Sequence, residues 1–306
     1  MGAPLAVRAV PSLAERAWFT PPPLSTRVRE KWEIDLAGTE PIFIELDGED
    51  LEGLITGDGP VVFLAHGWGG RASQMARLAK AIAAEGFTAL AINSPGHGGP
   101  GLAQSNVFRM AEGLHGLVDR YGPPHAIVAH SLGAMAAIHA FAPDLPSRVA
   151  LVAPVLDVEE VLDIFAARAR LFPWAATRLE RRVRSFIGSH WDSFAAGPRT
   201  DLGDSEVLII HDPEDRDAPF ATSAALAAIR DKTYLHVADG LGHHSVLRDP
   251  AALKTVADFV RRGPSFSTVR QGLRFGGSPD SPTQTREQEK WTSSAGRAVS
   301  EPSKRV

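Results

Sequence analysis

Ser131 sits in the run HAIVAHSLGAMAAIHAF, residues 125–141, where a stretch of β-formers meets a stretch of helix-formers and only small residues occupy the bend. A neutral hydroxyl is a poor nucleophile. To attack a carbonyl it needs a base, an acid that orients the base, and N–H donors for the oxyanion that forms. Downstream, HDPEDRDAP supplies Asp212, Glu214, Asp215 and Asp217, and DGLGHHS presents His243 and His244 in a Gly-framed loop. Serine, carboxylate and imidazole in that order are the parts of covalent acyl transfer. Taken alone, Ser131 fits equally well as a helix N-cap, so the chemistry depends on the elements around it.

Those elements follow a rhythm. PIFIEL and LEGLITG are short strand-like runs parted by the turn DGED, which predicts a leading antiparallel hairpin. VVFLAHG (61–67) is a continuous apolar strand of the kind buried on both faces, and SQMARLAKAIAAEG after it has helical spacing and stops at Gly86. The unit recurs with strands at 88–94, 126–131, 148–154, 206–212 and 233–238, and with helices at 105–120, 132–141, 219–230 and 250–261. Such alternation predicts an α/β fold with a mostly parallel sheet flanked by helices. Ser131, the acidic loop and the two histidines each follow a strand, at the carboxyl edge where open parallel sheets bind ligands.

The rhythm breaks between Val155 and Arg199, where VEEVLDIFAARARLFPWAATRLERRVRSFIG reads as helix and is too long for a crossover. The expected organisation is therefore an N-terminal extension (1–40), a core (41–155 and 200–262), a helical lid insertion over the sheet's carboxyl edge (156–199) and a tail (263–306). The tail is rich in Gly, Ser, Pro, Thr and charge, and is predicted to be disordered. SLAERAWFTPPP, within the extension, gives no sequence signal for whether it docks on the body.

A serine in a sharp strand-to-helix turn exposes its hydroxyl only if the residues two before and two after are small, and these are Ala129 and Gly133. Together with HGWGG, SPGHG, AHSLGA, HDPEDRDAP and GLGHHSVLRDP, this makes residues 42–262 resemble the α/β-hydrolase fold superfamily, in particular lidded bacterial serine hydrolases of esterase type. The resemblance implies Ser131 as nucleophile, His243 as base and Asp215 as its orienting acid, with an oxyanion hole from the backbone N–H groups of Trp68 and Leu132. Two departures matter. Ala129 stands where Gly is more usual, and Asp212 replaces a Gly after His211, which makes Asp212 a rival to Asp215 just as His244 is a rival to His243. The implied reaction is hydrolysis of a small-molecule carboxylic ester, thioester, lactone or amide through an acyl-enzyme. Two alternatives keep the fold: a ligand- or partner-binding protein without catalysis, and a carbon-carbon hydrolase or perhydrolase using the same three residues.

Other chemistries find little support. With no Cys among 306 residues, disulfides and thiolate catalysis are excluded. A formal charge of -4 offers no general attraction for nucleic acid, and no apolar run approaches membrane-spanning length. The first residues interrupt their apolar stretch with Arg8, Glu15 and Arg16, so a cytoplasmic protein without a secretory signal is expected. No metal is expected, because no close-spaced ligand set such as His-Glu-x-x-His is present, and the chemistry requires no organic cofactor. PGHGGPG (95–101) lacks the Gly-Lys-Ser/Thr of a phosphate cradle and reads as a turn. His66, His97 and His130 are expected to fix loops, and Glu214 and Asp217 to be solvated. Arg168, Arg170, Arg178, Arg181, Arg182 and Arg184 read as a solvated helix face, and Phe165, Leu171, Phe172, Trp174 and Phe186 as packing of the lid. The oligomeric state is not legible.

Overall fold

Alternating side chains along the central strands build two cores, one on each face of a twisted eight-stranded sheet. The computed structural model describes residues 13–97, 103–195 and 202–262; the expected tail 263–306 and the end of PGHGGPG lie outside them. The strands are β1 (Glu40–Leu46), β2 (Glu49–Thr56), β3 (Val61–Ala65), β4 (Thr88–Ile92), β5 (Ala126–His130), β6 (Arg148–Val152), β7 (Glu206–His211) and β8 (Thr233–Val237). Their order is β1-β2-β4-β3-β5-β6-β7-β8. The β1–β2 pair is antiparallel, as the leading hairpin predicts; β2–β4 is antiparallel as well, and every later pair is parallel.

Helices α3 (Ala76–Ala83) and α11 (Pro250–Arg262) cover one face, and α4 (Val107–Tyr121), α5 (Leu132–Phe141) and α9 (Phe220–Ile229) the other. The period-2 pleat sends Val62, Leu64 and Val128 into the first core, and Phe63, Ile127 and Leu151 into the second. Both faces being covered explains why these strands read as continuous apolar runs. From β3 the chain crosses to β4 on one side and returns to β5 on the other. The carboxyl ends of β3 and β5 therefore diverge and leave a crevice.

Between β6 and β7 lies a helical insertion of α6 (Val158–Arg168), α7 (Pro173–Ile187) and the short α8 (Trp191–Phe194). Asp157 caps α6 by accepting from the Glu159 N–H at 2.7 Å, and Pro173 opens α7 in the first turn, where its missing N–H costs nothing. Leu162, Leu179 and Val183 of the insertion join Met110 and Met135 in a third apolar cluster above the carboxyl edge. The N-terminal segment docks there too. Its helix α1 (13–18) ends at Trp18, and Trp18 and Phe19 pack on this cluster; α2 (Thr26–Ile34) then leads to β1. α10 (Gly242–Ser245) is a single turn carrying the two histidines. Among the described residues no helix is long and apolar enough to cross a membrane.

Candidate active site

The chain must turn abruptly from β5 into α5, and Ser131 absorbs the turn with φ 55° and ψ −128°. For a non-glycine residue this left-handed backbone is strained by roughly 1–3 kcal/mol and must be held from outside. Ser131 N–H donates to Val152 O at 3.1 Å, and Ser131 O accepts from Ala134 N–H at 3.0 Å and Val155 N–H at 3.1 Å. A side chain at 133 would place its Cβ 2.4 Å from His66 O, and one at 67 would meet Ser131 Cβ at 2.7 Å. Glycine at both positions lets the β3 loop and the start of α5 close on the serine. Ala129, fully buried, is tolerated in place of the more usual glycine.

Ser131 occupies the N-cap position but makes no side-chain cap. Its Oγ lies 2.9 Å from His243 Nε2, and His243 Nδ1 lies 2.7 Å from Asp215 Oδ2. The carboxylate is itself fixed: Oδ1 accepts from Asp217 N–H at 2.7 Å and Ala218 N–H at 3.1 Å. Burial opposes the charge on Asp215, but hydrogen bonds from His211 and His243, the neighbouring imidazole charge and the Asp217 N–H outweigh it and hold the carboxyl well below the usual range. With Nδ1–H donated to Asp215, His243 presents Nε2 as an acceptor to the serine hydroxyl.

The rivals that the sequence offers, Asp212 and His244, occupy different positions from Asp215 and His243. Asp212 Oδ1 accepts from Glu214 N–H at 2.8 Å and Oδ2 from Gly242 N–H at 2.5 Å, so Asp212 clamps the acidic loop to the histidine loop. His244 is exposed at the rim, beside His243. Asp217 departs from the expected solvated charge. It is half-buried, lines the cavity and accepts from Arg168 Nη1 at 2.5 Å, while Arg168 Nη2 donates to Arg216 O at 2.8 Å. The end of α6 is thereby tied to the acidic loop. Arg184 pairs with Glu159 at 3.2 Å and lies 4.3 Å over the Trp191 ring, so the insertion's arginines are partly spent on its own packing.

Three histidines tie loops together, as their surroundings in the sequence predict. His66 Nε2 accepts from Ser94 N–H at 2.9 Å, which leaves Nδ1–H to donate to Gly67 O at 2.8 Å and fixes the loop carrying Trp68. His130 Nε2 donates to the carbonyl of His243 at 2.8 Å. His97 bonds Pro95 O at 3.2 Å and stands edge-on to Trp68. A fourth, His211, has no distinctive sequence signal beyond its place at a strand end. Its Nε2–H donates to Ala218 O at 3.1 Å and lies 3.3 Å from Asp215 Oδ2, while Nδ1 accepts from Ser223 Oγ at 2.8 Å. Among the described residues, two groups of three bring potential metal ligands within 4.8 Å, His130–His243–His244 and Asp215–Asp217–His243. Both are built on His243, whose two ring nitrogens already serve Asp215 and Ser131, so a metal there would dismantle this arrangement.

Burying neutral imidazoles has a consequence for stability. Burial, with the His97 charge adding to it, pushes His66 down from 6.5 to about 3, and burial likewise pushes His97 down to about 4. Both therefore take up a proton more readily unfolded than folded. Stability is complete above pH 6.5 and falls as the pH drops toward these folded values. By pH 4, His66 alone should remove roughly 3 kcal/mol. A thermal melting series from pH 7.5 to 4 should show a steady fall in Tm that starts near 6.5; a flat profile over that span would contradict the buried neutral assignment.

Ser131 and His243 form the floor of a cavity of about 350 Å³. Trp68 and Leu132 flank them, and the walls above, from Met135, Val158, Phe165 and Val183 among others, are predominantly apolar. The N–H of Leu132, first in its helix, has no acceptor within the helix.

The comparisons agree with this architecture. A family model described as the alpha/beta hydrolase family matches residues 61–256, and no curated protein sequence matches. Among solved structures, Est1E from Butyrivibrio proteoclasticus superposes with a TM-score of 0.53 at 17% identity, over 72% of this chain and 96% of its own. The esterase Pf2001 of Pyrococcus furiosus gives 0.55 at 17% identity, over 79% and 96%. A serine hydrolase involved in carbazole degradation gives 0.53 at 14%, over 72% and 98%. At such identities the likeness is one of fold. The family model, by contrast, runs from the first parallel strand into the last helix through every loop described above, and the chain belongs to the alpha/beta hydrolase family.

Proposed function

We propose that the chain is a serine hydrolase that cleaves a carboxylic ester of a small molecule bearing an apolar acyl group. The observation that carries this reading is the unbroken line from Ser131 Oγ through His243 to Asp215, at a strained turn on the floor of an apolar cavity. In the first half-reaction, Oγ attacks the carbonyl carbon while His243 Nε2 takes the hydroxyl proton. The oxyanion is met by the N–H groups of Trp68 and Leu132, and collapse expels the alcohol, which leaves with the proton from Nε2. Water then enters and is deprotonated by the same nitrogen. Its attack releases the carboxylic acid and restores Oγ–H. Asp215 stabilises the imidazolium in both halves without taking its proton. In this reading the insertion acts as a lid that shields the acyl-enzyme from bulk water, held by the Arg168–Asp217 pair.

The test is incubation with a small fluorophosphonate followed by peptide mapping. Labelling at Ser131 that disappears in His243→Ala is the expected result. A folded protein that resists labelling would turn the reading toward a ligand-binding member of the family.

A further inference from the structure

The acyl cavity has two walls of different origin. One is the insertion. The other is the N-terminal segment: Trp18, Phe19 and Pro22 line the same cavity as Ser131 and His243. Trp18 stands edge-on to Phe165 of α6 at 5.2 Å, and Phe19 edge-on to Phe186 of α7 at 5.0 Å. The segment is also pinned to the body. Phe19 O accepts from Ser105 N–H at 2.8 Å, and Pro22 lies so close to Gly69 that a Cβ there would come 2.7 Å from Pro22 Cγ. Glu15 adds weak pairs to Arg178 at 3.8 Å and Arg182 at 4.0 Å, both half-exposed. A segment needed only to cover a core would be expected to bury its two large aromatics, but Trp18 and Phe19 remain partly exposed, toward a cavity whose lining residues outside this segment come from Trp68 onward in the sequence.

Resting on the reading of Ser131 as nucleophile, we propose that residues 14–22 are a specificity strap. Trp18 and Phe19 form the outer part of the acyl pocket and select substrates whose apolar acyl group is long enough to reach them. A short acyl group, held next to Ser131, gains nothing from these rings. A straight chain of medium length or a phenyl-substituted acyl group desolvates them, and this contact persists into the transition state, so it acts on kcat/KM. Because both rings are partly exposed, their truncation should leave the fold intact, unlike removal of a core aromatic.

The experiment compares p-nitrophenyl acetate, butyrate, octanoate and 3-phenylpropionate as substrates of the full chain, Trp18→Ala and Phe19→Ala, with fluorophosphonate labelling of each. The wild-type chain should favour octanoate over acetate in kcat/KM. Each variant should lower that ratio by about tenfold, the discrimination a few apolar contacts supply, with octanoate hydrolysis falling more than acetate hydrolysis and labelling at Ser131 retained. The phenylpropionate arm tells a preference for straight chains from one for aryl groups. An unchanged ratio in labelled, active variants would overturn the strap. Loss of all activity together with a fallen Tm would be followed by Trp18→Phe and Phe19→Leu, for which a ratio still at the wild-type value would overturn it as well. Absence of labelling in the wild-type chain would instead sink the nucleophile assignment.

Discussion

Ser131→Ala should reduce ester turnover by about 10⁶-fold, the effect of removing one member of a unit in which nucleophile and base depend on each other. The same dependence means that His243→Ala should cost about as much, and that the double variant should be hardly slower than either single one. Any residual rate would come from positioning and from N–H donors, which neither substitution touches. The fold should persist. The alanine keeps the Cβ that packs against Gly67, the backbone bonds from Ser131 to Val152, Ala134 and Val155 do not involve the hydroxyl, and no side-chain cap is lost. Tm should therefore stay within the few degrees expected of a change below about 1 kcal/mol. Steady-state kinetics beside a melting curve decide the matter. A folded Ser131→Ala variant with more than about a hundredth of wild-type activity would place the nucleophile elsewhere.

The parallel sheet and its loops were legible in the sequence because burial on both faces imposes an unmistakable pattern. VVFLA, AIVAH and EVLIIH could not be surface strands, and each is followed at once by a residue type suited to chemistry. The predicted helix at 132–141 matches α5 to the residue, since Ser131 marks its start and Ala142, held extended ahead of Pro143, marks its end. The choice between Asp212 and Asp215 was less legible. Both are carboxylates on one loop, and only the turn that aims Asp215 at Ala218 N–H and His243 tells them apart. His211 could not be assigned a task, because its partner Ser223 arrives from a helix 12 residues later. The N-terminal segment was opaque for a different reason. Its Trp18 and Phe19 carry no periodic signal of their own, and their place follows from Phe165 and Phe186 on helices that fold from a distant part of the chain.

Asp215→Asn should lower kcat by about 10⁴-fold at neutral pH with little change in the fold. The reason is the direction of one proton. The amide oxygen would take the Oδ1 role and go on accepting from Asp217 and Ala218 N–H, which turns the amide NH₂ toward His243 Nδ1. Nδ1 must then become an acceptor, so the ring proton moves to Nε2, which now donates to Ser131 Oγ and cannot take its proton. Asp212→Asn tests the alternative with the same chemical change. Its carboxylate secures Gly242 N–H and Glu214 N–H and not the ring, so that variant should lose stability, by about 1–3 kcal/mol, and lose activity only as far as the histidine loop loosens. The pH profile separates the two further. Because the Asp215 carboxyl is held well below the usual range by its hydrogen bonds, it stays ionised throughout the acid limb of the wild-type rate profile and contributes no step to it. If Asp212→Asn proves the more damaging to kcat in a protein of unchanged Tm, the orienting acid is Asp212 and the line of hydrogen bonds through Asp215 is structural.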